Sequence, residues 1–183
     1  MQTLIHNLAS GIDAFSEWCG RIVSWCVLII VLIIIYDVLM LYLFQRSSAA
    51  IRELEWHLFA VIFLLGAAYT LKHEGHVRVD IFYQGRWMND RRRAWVDLFG
   101  VIFLLIPFCV LIVSSAWPFV ENSYAMLEGS PDAGGLPFRF ILKAVIPVSF
   151  VLLILQGVSL ALKSVKTLFL SASHISNSGT GKE

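Results

Sequence analysis

Four long apolar stretches separated by short polar segments dominate the chain. The first runs over 22–44, and its centre, VLIIVLIII at 27–35, is apolar on every side. The second, 55–71, has an apolar core of roughly 16 residues. At ~1.5 Å per residue that gives about 24 Å, less than the ~30 Å hydrocarbon core of a bilayer. Leu54 and the polar flanks, or local thinning of the bilayer, must complete the span. The third, 95–117, contains Pro107, and the fourth, 138–162, contains Pro147. Proline removes a helical hydrogen bond, so both predict kinks.

Ahead of the first span, Leu4, Ile5, Leu8, Ile12, Phe15, Trp18 and Cys19 recur at helical spacing, and Gln2, Asn7, Ser10, Asp13 and Glu17 fall elsewhere. This predicts an amphipathic helix over 1–20 lying in the membrane interface. With no basic residue before the first apolar stretch, a signal peptide is not expected. Between the second and third spans, Val79, Phe82, Tyr83 and Trp87 predict a short interfacial helix. The Ser, Gly and Asn of 169–183 predict a disordered tail after a membrane domain over 21–168. The expected class is an all-α membrane protein: an N-terminal interfacial helix, four transmembrane helices, and a short cytoplasmic interfacial helix after the second.

Composition agrees. Of 183 residues 58% are hydrophobic and 15% charged, against about 45–50% and about 25% in soluble domains. A net charge of +1 offers nothing to a nucleic acid. Distribution is more informative. With four spans both termini share a side, and that side carries ten of the fourteen Lys and Arg, six of them between the second and third spans. The positive-inside rule then places both termini in the cytoplasm. Cys19, Cys26 and Cys109 lie in or beside apolar runs without a CxxC pair, so neither disulfides nor a zinc site is expected.

Candidate chemistry is sparse. His73, Glu74, His76 and Asp80 have metal-ligand side chains, but they stand where a membrane helix leaves the hydrocarbon. No second cluster completes a coordination sphere, so no metal or cofactor is expected. Asp37 lies late in the first span, where an acid costs up to roughly 2.5–3.5 kcal/mol and should find a partner. Arg46, Arg52 or a second subunit could supply one; the alternatives are an acid reaching to water and an ion-coupling acid. Glu53 and Glu55 precede the second span, where carboxylates suit a helix N-terminus or an ion pair. With Asp37, Arg46, Arg52, Trp56, His76, Arg78, Asp80 and the basic run Arg91, Arg92 and Arg93, these two glutamates are the candidates for partner or lipid contact. Gly66, Ala67, Ala68, Ser114, Ser115 and Ala116 suit close helix packing against a partner. Trp25, Trp56, Trp95 and Trp117 suit the membrane interfaces. No phosphate loop, nucleophile elbow or catalytic triad is present in the sequence, and no enzyme activity is expected.

Five runs together carry a resemblance: ELEW at 53–56, LLGAAYTL at 64–71, HVRVDIFY at 76–83, GGLP at 134–137 and LLILQG at 152–157. Over about residues 1–165 the chain resembles the small membrane subunit of tripartite ATP-independent periplasmic (TRAP) transporters. The resemblance implies a multi-pass subunit of the bacterial inner membrane. It also implies two partners, a large membrane subunit that transports by a sodium-coupled elevator motion and an extracytoplasmic solute-binding protein. The small subunit would be a non-catalytic scaffold for the static part of the large one, in contact with membrane lipids. Organic acids are the substrates implied, with ELEW and GGLP inclining toward 2-oxo or hydroxy acids. Many members carry an Arg late in the first helix before an aromatic residue. Here Leu41 precedes Tyr42, so an ion pair from that position to Glu53 or Glu55 is not expected in its usual form. The competing readings are a haem-holding membrane anchor, which needs facing histidines on different helices, and a stand-alone antiporter using Asp37.

Overall fold

The computed structural model describes residues 2–73 and 90–178. Among them are four long helices. α1 is Gln2–Phe44 and α2 is Ala49–Lys72. Asp90–Phe99, the π-helical Gly100–Leu105 and Ile106–Ala125 follow one another without a break as α3. α4 is Phe140–Ser178. Each contains a stretch long and apolar enough to cross a membrane. Consecutive helices run in opposite directions. The 45–48 and 126–139 connections therefore lie at one end of the bundle (the hairpin end), and the start of α1 and the later part of α4 lie toward the other (the terminal end).

α4 is the central helix. It packs against α1, α2 and α3, whereas α2 and α3 make at most marginal contact with each other. Its buried face is small and polar: Ser149, Gln156, Ser159 and Ser164 are all enclosed. This is the packing expected in hydrocarbon, where close approach and hydrogen bonds, not apolar burial, hold helices together. Large apolar side chains point outward. Trp25, Trp56, Trp95 and Trp117 are 68%, 71%, 56% and 65% exposed on the bundle surface.

Three helix boundaries differ from those read in the sequence. α1 is continuous from Gln2, with no separate interfacial helix over 1–20. The inward face is a narrow one of small and polar residues: Ala9, Ser16 and Gly20 are buried and Asp13 and Glu17 bond to other helices, while Phe15 and Trp18 point outward and Asn7 and Ser10 are exposed. α2 begins at Ala49 and is 24 residues long, about 36 Å at ~1.5 Å per residue, so it needs no thinned bilayer. Glu53 lies inside this helix, with its carboxylate satisfied within the chain. α4 runs on to Ser178, through ten residues of the segment read as a tail. The interfacial helix expected near 79–87 lies outside the described residues.

Pro107 alters the hydrogen-bonding of its own helix. Pro107 has no N–H, and its ring crowds the carbonyl four residues back. The preceding turn widens to π geometry, with the Ile106 N–H bonded to the Val101 carbonyl. The widened turn pushes Leu105 and Val101 toward α4 at Gly157. A Cβ on Gly157 would overlap Leu105 and lie 3.4 Å from Val101 Cγ1. Gly157→Val should therefore destabilise the purified protein by about 1–3 kcal/mol, the usual cost of overpacking, read as a lower Tm in detergent. Pro118 and Pro147 are accommodated within α3 and α4.

Gly20 meets α2 in a similar way. The Tyr69 ring lies against it, and a Cβ there would overlap the ring. One turn along, Val23 packs near Gly66. Ala68 and Ala116 are 1% and 9% exposed. Small residues expected to await a partner are thus partly used inside the chain. Ser114 is exposed and donates to its own Leu111 carbonyl.

Candidate functional site: polar clasps at the two ends of the bundle

The hairpin end is organised by Glu53. It lies on the first turns of α2, is 5% exposed, and faces the 126–139 connection. Ser130 Oγ donates to one carboxylate oxygen, the Leu136 N–H donates to the other at 2.7 Å, and the Arg139 guanidinium lies 3.8 Å away. The turn is shaped to allow this. Gly134 takes φ +80°, which favours glycine. A Cβ on Gly135 would overlap Ser130 and come within 2.9 Å of Glu53 Oε2. Each glycine of GGLP thus has its own reason, a left-handed turn at Gly134 and a close approach to a buried carboxylate at Gly135.

A second clasp closes the same connection. Ser123 Oγ donates to Glu128 at 2.7 Å, and Lys143 Nζ pairs with the same carboxylate while lying 4.0 Å over the Phe119 ring. These bonds hold the Glu128 carboxyl below the usual carboxylate range; the Lys143 bond contributes most, then Ser123. Leu127 ends α3 in the left-handed region at φ 45°, with its N–H on the Tyr124 carbonyl and the Glu128 N–H on that of Ser123. That paired closure commonly uses glycine at this position.

The terminal end has its own network. Asp13 accepts from Gln156 Nε2 at 3.0 Å, Ser159 Oγ at 2.9 Å and Lys163 Nζ at 2.6 Å. Ser16 Oγ donates to Gln156 Oε1 at 2.6 Å. Gln156 and Ser159 are 2% and 0% exposed. Glu17 pairs with Lys72 and with His73 at 3.1 Å. α1 is thereby tied to α4 and α2 by groups that would otherwise be unpaired near hydrocarbon.

The candidate residues separate clearly. Glu53 is engaged, and its arginine is Arg139, not Arg46 or Arg52. Asp37 lines a cavity of about 610 Å³ with Arg46, Gln45, Ser47, Ser48 and Gly134, yet among the described residues it forms no ion pair with Arg46 or Arg52. One oxygen of Asp37 and one of Glu55 are enclosed without a hydrogen-bond partner there. Arg46, Arg52 and Trp56 are exposed. Arg91, Arg92 and Arg93 form the first turn of α3, with Arg93 half-buried. His76, Arg78 and Asp80 lie outside the described residues. Among the described residues no three His, Cys, Asp or Glu side chains converge on a metal position. Sequence reasoning singled out neither the Asp13–Gln156–Ser159–Lys163 network nor the Glu128–Lys143 pair. The signal available was spacing: Gln156, Ser159 and Lys163 recur three and four apart on one face of an otherwise apolar helix.

Four helices long and apolar enough to cross a membrane, with the described polar groups at the two ends of the bundle mostly paired inside the chain, point to a polytopic membrane protein. The family profile for tripartite ATP-independent periplasmic transporters, DctQ component, matches residues 30–167. The chain belongs to this family and is a TRAP transporter small permease subunit. No curated protein and no solved structure gives a match.

Proposed function

We propose that this subunit is a non-catalytic scaffold that enlarges the fixed part of a sodium-coupled elevator transporter for organic acids. Its partners are then a large membrane subunit and an extracytoplasmic solute-binding protein. An elevator carries its substrate site through the bilayer, so another body must stay still against it. The observation that supports this reading is the set of clasps at the two ends of the bundle. They tie α1 to α2 and α4 at the terminal end, and α2 to the α3–α4 connection at the hairpin end, which favours one stiff unit. The excess of Lys and Arg on the terminal side supports an orientation with both termini in the cytoplasm of a bacterial cell, in the inner membrane.

Purification of the tagged chain from its native membrane in mild detergent tests the scaffold role. A larger multi-pass membrane protein should co-purify in equal amount, and the chain alone in liposomes should move no organic acid. Recovery of a homo-oligomer that transports by itself would sink the proposal.

A further inference from the structure

α2 and α3 both pack on α4 but hardly touch each other, and this leaves a crevice on the α4 surface between them. Its volume is about 310 Å³. Ala60 and Leu64 of α2, Phe119 of α3, and Leu142 and Ile146 of α4 make its apolar walls. Arg139 and Lys143 line its hairpin end. Arg139 immediately precedes α4, and Leu142, Lys143 and Ile146 follow at helical spacing on one face of it, so the lining passes from charged to apolar with depth. Phe59 and Phe63, beside Ala60 and Leu64, are 65% and 71% exposed, so the crevice lies on the outward surface of the bundle.

From this geometry we propose that the crevice binds one phospholipid of the leaflet at the hairpin end, with its phosphate at Arg139 and Lys143 and an acyl-chain segment against Ala60 and Leu64. Both cations have donors to spare. An ammonium offers three, and Lys143 gives one to Glu128. The Arg139–Glu53 separation of 3.8 Å exceeds hydrogen-bond length. A phosphodiester is a strong acceptor for both. The volume suits a chain segment, whereas a helix with side chains is about 10–12 Å across. The lipid would fill the gap between two helices that do not pack together. This inference requires only that the chain is inserted in a membrane and is independent of the scaffold role.

The test uses the full chain purified with whatever subunit accompanies it. Native mass spectrometry should find one retained phospholipid per chain. After delipidation, palmitoyl-oleoyl phosphatidylglycerol should restore it and raise Tm, whereas inorganic phosphate or oleate alone should not. Ala60→Phe fills the crevice without touching either cation and should abolish retention. Lys143→Gln should weaken binding about tenfold, the loss of one charge-assisted contact. Equal retention by Ala60→Phe, or an equal Tm rise with phosphate or oleate alone, would overturn the proposal. So would crosslinking of an Ala60→Cys variant to a helix of the large subunit, which would show that a protein partner occupies the crevice.

Discussion

Glu53→Ala should release the 126–139 connection and loosen the hairpin end of the bundle, with at least roughly tenfold faster proteolysis of that segment. The substitution removes three contacts together: Ser130 Oγ, the Leu136 N–H and the Arg139 guanidinium all converge on this one carboxylate. Glu53→Gln separates shape from charge. It keeps an oxygen for one donor but presents an NH2 group where a second donor points, so one hydrogen bond becomes a clash of donors. It should fall between wild type and alanine. Gly135→Ala approaches the same defect from the other side, because a Cβ there would displace Ser130 and crowd Glu53. If Glu53→Ala leaves proteolysis of the connection unchanged, the clasp does not organise this end.

At the terminal end, Gln156→Leu should cost about 1–3 kcal/mol, the range for leaving buried polar partners unpaired. Ser16 loses its acceptor and Asp13 loses one of three donors, while Ser159 and Lys163 remain on Asp13. Thermal unfolding in detergent reads the loss. Ser16→Ala combined with Gln156→Leu should be less than additive, because the two share one bond. Full additivity would mean that Ser16 and Gln156 do not act on each other.

Glu53 shows how far a residue can be read from its sequence position. Its charge, its place near the start of a membrane helix and a role in ion pairing were legible. Its partner was not, since Arg139 is 86 positions away. Gln156 and Gly157 stood within a recognisable run, but nothing local says that one reaches Asp13 and Ser16 and the other makes room for Leu105. The 1–20 segment shows the limit of a periodic pattern. Its periodicity was read correctly as helical, yet which stripe faces inward depends on what lies opposite. In water the apolar stripe packs inside. Beside hydrocarbon, with Gln156, Ser159, Lys163 and Lys72 on the facing helices, Asp13, Ser16 and Glu17 turn inward while Asn7 and Ser10 stay exposed.

By itself, then, the sequence determined the class of protein, the four spans and the family. These follow from the length and composition of continuous segments, because every backbone group in hydrocarbon must be satisfied within its own helix. Only the tertiary structure decided which polar groups meet, that α4 is central, that Pro107 widens a turn against Gly157, and that α2 and α3 leave a crevice between them. Those outcomes depend on helices far apart in the chain coming within bonding distance, and no run of adjacent residues encodes that distance.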